Sequence, residues 1–231
     1  MRYSITLPSL FALLLLTGCE LKNSDPVVTD AQKGNAHAQY LLGLRYYNGS
    51  ECTKSHTEAV KWYRKAAEQG HSDAQYHLAL CCHHGNGTRQ DNVEALKWFQ
   101  QAAEQGHSDA QCYLGIFYAN GYGTKTDKEQ AVKWYRKAAL QGNPDAQCYL
   151  GWCYHEGRNA GVGQSNDEAL YWFRKAADQN HTYGQACLGY FYYMGYGTRQ
   201  NKDEGLKWLR RAAVKGNKFA MQTMTGIGET W

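Results

Sequence analysis

The chain has 231 residues, 43% of them hydrophobic and 20% charged, with a formal net charge of +4. That length supports a sizeable core, and a charge so close to neutral gives no argument for a nucleic-acid partner. Three prolines against 24 glycines suit many short helices closed by glycine better than sheets.

The first residues read as an address. Arg2 is followed by the apolar run LFALLLL (10–16), which is shorter than the roughly 20 residues that span a bilayer. The run ends in LTGC (16–19), which resembles the bacterial lipobox. The resemblance implies a signal peptide over 1–18, cleavage before Cys19, and acylation of Cys19 as a lipid anchor, each buried methylene contributing about 0.8 kcal/mol. Glu20 follows the cysteine where Asp would signal inner-membrane retention, so by the same resemblance the expected location is the bacterial outer membrane, facing the periplasm. Residues 19–30 then read as an acylated, polar tether. Removal of Arg2 lowers the net charge to about +3. Seven cysteines remain (Cys52, Cys81, Cys82, Cys112, Cys148, Cys153 and Cys187), an odd number, so at least one stays free or bridges to another molecule.

From residue 31 to 217 the chain repeats itself. KWYRKAA stands at 61–67 and 133–139, with near copies at 97–103, 171–177 and 207–213; AQYLLG (38–43) returns in the same register as AQYHLA, AQCYLG, AQCYLG and GQACLG. The tryptophans Trp62, Trp98, Trp134, Trp172 and Trp208 are 36 residues apart except for one step of 38. The two extra residues fall between Gly157 and Ser165. A fixed period of this length means stacked supersecondary units. Each unit reads as two helices. In the second, helix B, Ala95, Trp98, Phe99, Ala102 and Ala103 form one helical stripe. Ser55, Asp91, Asp127, Ser165 and Asn201 precede Glu or Gln by three, the pattern of a reciprocal capping box. Gly70, Gly106, Gly142, Asn180 and Gly216 suit the left-handed residue that closes a helix. Helix A carries Ala74, Leu78, Ala79 and Cys82 on one side, and Asn143-Pro144 marks a start. GNGT (85–88) and GYGT (121–124, 195–198) turn the chain between A and B. The expectation is that Trp and its aromatic or Leu neighbour fill the space between A and B, paired alanines allowing close approach. A single hairpin cannot bury both its faces, so the units must stack.

The stretch AQCYLGIFYANGYGTKTDKEQAVKWYRKAALQG (110–142) resembles the Sel-one-like repeat, a relative of the tetratricopeptide repeat. The resemblance covers five units and a final half unit, 218–231, that reads as a capping helix. It implies an all-α fold, a right-handed α-solenoid of antiparallel helix pairs with helix A toward the concave side, and an adaptor role. Short exported relatives resemble immunity proteins that neutralise secreted phospholipase toxins of type VI secretion systems. Some cysteine-rich relatives are described as β-lactamases and carry a regular disulfide in each repeat, but here helix B ends in KAA where that branch has a cysteine.

Binding has to come from positions that packing does not require. Away from the Ala74/Leu78 stripe lie the columns of His77, Tyr113 and Tyr149, of Trp152 and Tyr190, and of His84 and Met194. With Tyr183 and Tyr193 they compose an aromatic strip suited to a protein partner, or a set of partly buried packing residues. Tyr113, Tyr149, Trp152, Tyr190, His77 and Tyr193 are the candidate partner contacts. The Lys/Arg stripe of helix B sits toward helix C-termini, where cations are favoured in any case. CCHH (81–84) places only Cys81 and His84 on one face, too few ligands for zinc, so no metal and no cofactor is expected. No serine has Lys three residues on, and G-x-S-x-G, H-E-x-x-H and a phosphate loop are missing. The chain therefore reads as a non-enzymatic scaffold that binds a protein and meets the membrane through its lipid, with a cell-wall-related hydrolase as the competing class.

Overall fold

The computed structural model describes residues 25–230; the signal peptide, Cys19 and the start of the tether lie outside them. The described residues form twelve α-helices and no strand: α1 (Pro26–Gln32), α2 (Ala36–Asn48), α3 (His56–Glu68), α4 (Ser72–His84), α5 (Asn92–Glu104), α6 (Ser108–Asn120), α7 (Lys128–Leu140), α8 (Pro144–Glu156), α9 (Asn166–Asp178), α10 (Thr182–Met194), α11 (Lys202–Val214) and α12 (Lys218–Gly226). A 3-10 turn, Gly157–Ala160, follows α8. None of the described helices is long and apolar enough to cross a membrane. From α2 onward even-numbered helices are the A helices and odd-numbered ones the B helices. The chain divides at Gln90 into a first unit that ends after α4 and a second that begins with α5.

A helix begins inside the stretch 19–30 that the sequence suggests as a tether. Asp25 caps α1 through a bond from the Val27 amide (2.8 Å), and Pro26 takes the first helical position. Val28 and Ala31 then join Ala38 and Leu42 in the core of the first unit, so α1 covers the outer side of the first pair.

Within a pair whose helices belong to one unit, the side chain that fills the space between A and B is the neighbour of the tryptophan, and Phe99 of α5 is buried in the same way against α6. Tyr63, Phe99, Phe173 and Leu209 are fully buried and Tyr135 nearly so, while Trp62, Trp98, Trp134 and Trp208 are half-buried and only Trp172 is buried. The expectation that both residues share the interior is corrected to that extent. The outward tryptophans gain polar cover from their own helix: Lys65 Nζ lies 4.2 Å from the Trp62 ring and Lys137 Nζ 3.9 Å from that of Trp134. Trp98 Nε1 donates to Glu94 at 3.2 Å. The buried rings sit over residues without side chains. A Cβ on Gly43 would lie 2.6 Å from Tyr63, on Gly115 2.5 Å from Tyr135, and on Gly151 2.7 Å from Phe173.

Each B helix starts at the residue read as its cap, and the cap oxygen accepts from the amide three residues on, as Ser55 does from Glu58 and Asn201 from Glu204. The return half of the capping box is replaced. The cap residue's own amide donates to a tyrosine carbonyl at the end of helix A, Ser55 to Tyr46, Asp127 to Tyr118, Ser165 to Tyr154 and Asn201 to Tyr192, while Glu58 pairs with Lys61. The predicted closing residues all have positive φ, from 60° at Asn180 to 92° at Gly106 and Gly142.

Successive pairs are latched by a buried amide. Gln39, Gln75, Gln111 and Gln147 are almost wholly buried, and each donates to the carbonyl of an alanine eight residues earlier, Ala31, Ala67, Ala103 and Ala139, at 3.0–3.2 Å. That carbonyl belongs to the last turn of the preceding helix, where it has no intrahelical donor. The oxygen of the same glutamine accepts from the residue after its own helix B: Gln69 to Gln39, Gln141 to Gln111 and Gln179 to Gln147, at 2.7–2.9 Å. Replacing Gln147 with Ala removes its bond to the Ala139 carbonyl, which keeps the one from the Gly142 amide, and the acceptor it offers Gln179, and we expect a loss of about 0.5–1.5 kcal/mol in urea unfolding; exposed Gln222→Ala should stay within about 0.5 kcal/mol.

Histidines cap three of the A helices, a signal the sequence reading missed although His71, His107 and His181 share a column with Asn35, Asn143 and Asn217. Nδ1 of His71 accepts from the Ala74 amide at 3.3 Å, so its proton sits on Nε2, 3.2 Å from His37 Nδ1. Burial pushes His71 below its ordinary value, His37 adding to the shift and Asp73 opposing it. The folded value being lower, this stabilisation is complete above the unfolded value of about 6.5 and is lost as pH falls through the folded one. Between pH 7 and 5 the first unit should lose stability by calorimetry or hydrogen exchange. His71→Asn, which keeps an acceptor at the cap, should flatten that loss.

Candidate interaction site

The aromatic column on helix A is held rigidly by the helix B of the pair before it. His77 stacks on Tyr63 (5.4 Å, 20°), Tyr113 on Phe99 (5.1 Å, 13°) and Tyr149 on Tyr135 (5.0 Å, 17°). One face of each ring is therefore committed to packing, and the next position of the column, Cys187, brings a thiol against Phe173 instead of a ring. His77 belongs to the first unit and the other five candidates to the second. Of the stacked rings, Tyr149 stands farthest out at 40% exposure, while His77 and Tyr113 are half-buried.

Trp152 and Tyr190 come together in the second unit, their centroids 6.4 Å apart. Phe219, on the last helix, completes the group, 6.0 Å from Trp152 and 5.8 Å from Tyr190, with Tyr183 5.8 Å away on its other side. Phe219 was absent from the candidates. A signal for it exists in the column that reads Asp73, Asp109, Asp145, Tyr183, Phe219: the repeats exchange a carboxylate for a ring over the last two steps. Trp152 Nε1 is buried without a well-formed hydrogen bond; it faces the Tyr183 hydroxyl and the Cys187 thiol. Tyr193 stands apart from this group, its ring 5.5 Å from Lys202 Nζ.

A cleft of about 300 Å³ opens beside Tyr149 and Trp152. Ala131, Tyr135 and Ala160, all buried, form its inner surface, and the exposed Lys128 and Glu156 border it. Cys153 also lines it. Burial pushes that thiol up to about 11, Glu156 raising it further and Lys128 opposing, so it is a neutral thiol and a poor nucleophile at ordinary pH. Burial likewise moves Tyr149 up to about 12. The inner surface is thus apolar and uncharged.

Nothing in this arrangement positions an acid beside a base. Cys81 and Cys82 are both buried in the core, and among the described residues no three His, Cys, Asp or Glu side chains converge as metal ligands would. All seven described cysteines are thiols, Cys153 the half-buried one.

Five consecutive segments, 36–71, 72–107, 108–143, 144–181 and 182–217, match the Sel1 repeat. The chain belongs to the Sel1 repeat family. Sel1 repeat proteins mediate protein–protein interaction, and the scaffold is generally non-enzymatic. Among solved structures, it is similar to a Sel1 repeat protein from Oxalobacter formigenes, with 33% identity and a TM-score of 0.80 over 89% of this chain and 79% of that one. It is also similar to c5321, a protective antigen of uropathogenic Escherichia coli, at 38% identity and a TM-score of 0.78, covering 88% of this chain and 44% of that one. A 63-residue stretch, 27% of this chain and 13% of the relative, is 40% identical to the secretory immunoglobulin A-binding protein EsiB of Escherichia coli. The chain therefore spans less than half the length of either Escherichia coli protein. The immunity protein Pa5087 of Pseudomonas aeruginosa shares the fold at 22% identity, with a TM-score of 0.54 over 80% of this chain and 67% of that one.

Packing and contact roles separate by substitution. Trp152→Ala removes a ring that touches Phe173, Phe191, Tyr190 and Phe219 and should destabilise the second unit by about 3 kcal/mol. Tyr149→Ala, losing one stacked face, should cost about 1 kcal/mol. Chemical denaturation of the two variants reads the difference.

Proposed function

We propose that the protein is a non-enzymatic scaffold, anchored by acylated Cys19 to the outer membrane, that presents the helix A aromatic face of its second unit to a protein partner in the periplasm. The observation that carries this reading is the half-exposed group of rigid rings, Tyr149, Trp152, Tyr190 and Phe219, in a chain of interaction repeats. Rings fixed by packing lose little conformational freedom on binding and are typical anchors of interfaces. Tyr113 and Tyr193 are further candidate contacts on the second unit, and His77 is one on the first. The lipobox-like LTGC and Glu20 support the anchor and its destination.

A narrower version makes the partner a secreted toxin, such as a type VI phospholipase effector, that this chain neutralises. It is supported by the fold shared with Pa5087 and by the absence of any catalytic constellation among the described side chains. A lipase effector gene beside the gene for this chain would favour it over a general adaptor.

Two measurements test the reading. In a Gram-negative host the protein should take up labelled palmitate and fractionate with the outer membrane. Cys19→Ala should abolish the label, and Glu20→Asp should shift the protein toward the inner membrane. Crosslinking in the periplasm should recover one partner at near-stoichiometric yield, reduced at least tenfold by a Tyr149→Ala/Tyr190→Ala pair that still folds. Hydrolytic turnover by the purified chain alone would overturn the scaffold reading in favour of the hydrolase.

A further inference from the structure

The fourth repeat is two residues longer than the others, and those residues shape the cleft. In the third and fifth repeats the loop between A and B turns through Gly123 and Gly197, where a Cβ would fall 2.3 and 2.2 Å from the carbonyl oxygens of Asn92 and Asn166. Those loops lie directly on the first residue of the preceding helix B. In the fourth repeat Gly161 occupies that place, and its nearest neighbour is the Glu129 amide, 3.2 Å from where a Cβ would stand. The loop stands farther off α7, and the 3-10 turn occupies the step with Ala160 turned inward, 6% exposed. The opening between this turn, α7 and α8 is the cleft lined by Ala131, Tyr149 and Trp152.

We propose that this cleft receives one aromatic side chain of the partner polypeptide, carried between an acidic residue that meets Lys128 and a basic residue that meets Glu156. The proposal rests on the protein-binding reading above and gives that partner a chemistry. A cavity of about 150 Å³ is enough for benzene, so 300 Å³ accepts a phenyl or indole ring, while it stands at the lower limit of about 300 Å³ for small-molecule sites. The inner surface offers Tyr149 as a stacking partner and no charge, since the Cys153 thiol stays protonated. A side chain ending in a charge would lose its water there without gaining a partner. Lys128 and Glu156 act on that thiol in opposite senses, so both charges lie near the same opening, on different helices. That pair matches a segment with both signs beside the ring, and offers a lone acid or a lone amine attraction and repulsion together.

The test is protein-observed NMR on the full chain in mild detergent, with alanine methyls labelled. The probes are the acetylated, amidated tripeptides glutamyl-phenylalanyl-lysine and lysyl-phenylalanyl-glutamate, their alanine-centred analogues, and acetyl-phenylalanine amide. The expected result is saturable shifts at Ala131 and Ala160 with a dissociation constant of about 1 mM for one of the phenylalanine tripeptides, absent for the alanine analogues. Ala119→Phe, which fills the cleft, should remove them. Should that variant fail to fold, Lys128→Glu, an exposed change, decides the matter. It should weaken the charged tripeptide about threefold or more and leave acetyl-phenylalanine amide unaffected. Equal binding of the alanine peptides, shifts confined to other repeats, or no response to Lys128→Glu would overturn the proposal. So would concentration-dependent shifts at these methyls without any probe, which would assign the cleft to a second copy. No partner protein is used, so failure here leaves the crosslinking test standing, and failure of that test leaves this one readable.

Discussion

The fold depends on a large side chain of helix B lying where helix A has none. Tyr63 over Gly43, Tyr135 over Gly115 and Phe173 over Gly151 bring the paired helices close, and burying each ring is worth about 1.5–3 kcal/mol. The opposite side of the ring is not covered by its own pair. It is covered by the next helix A, through His77, Tyr149 or Cys187. The interior of these three repeats is therefore completed by a neighbouring helix, which is the physical reason a single hairpin has no stable existence and the sequence must be written several times.

Apolar contact alone would allow neighbouring pairs to slide, because a ring against a helix has no strong preference along the axis. The buried glutamines remove that freedom. The side chains of Gln39, Gln111 and Gln147 bond in two directions, to the carbonyl of a buried alanine in the preceding helix and from the residue that ends their own pair, so a displaced register would break both bonds at once. The link changes where the closing residue changes. At Asn180, Gln185 donates to the asparagine side chain, and Lys215 supplies the bond to its oxygen. Asn143 to Asp109 and His181 to Asp145 add a second tie at the start of helix A, at 2.7 and 3.1 Å. The His181 bond holds the Asp145 carboxyl below its usual range.

Much of this was legible beforehand. The 36-residue period, the two-helix unit, the caps of helix B and the positive-φ closers follow from spacing and from the few residues that satisfy a helix end. The choice between Trp62 and Tyr63 did not. Adjacent residues on a helix differ by about 100°, and a stripe five residues wide admits either as its centre. What decides is the glycine on the facing helix, which only pairing reveals. The missed return bond of the capping box has a similar cause: the tyrosine carbonyl that takes the amide is nine residues away, or eleven in the lengthened repeat, and comes close only once the hairpin has closed. Histidine as an N-cap was missed because serine, threonine, aspartate and asparagine dominate that position. The column it shares with three asparagines was the available clue.

Among the candidate residues, the periodic rows and the departures from them carry different information. His77, Tyr113 and Tyr149 recur because each completes the packing beneath it, so their presence says more about stacking than about a ligand. A ligand can be distinguished only by what the repeats do not share. Three such departures gather in the second unit: rings at 183 and 219 where the second to fourth repeats have aspartate, Glu156 in a column that carries no other acid, and a two-residue insertion that moves the loop off α7. The rings at 183 and 219 also pack against the core of the second unit, so they exchange the aspartate tie of the other repeats for apolar contact. Identical modules would give a uniform surface, and recognition of one partner needs a place where the surface is not uniform. The surface of the second unit departs from uniformity beside Tyr149 and Trp152, where a ring already fixed by the repeat's own packing meets a cleft found at the lengthened loop, and that is the ground of the proposed contact.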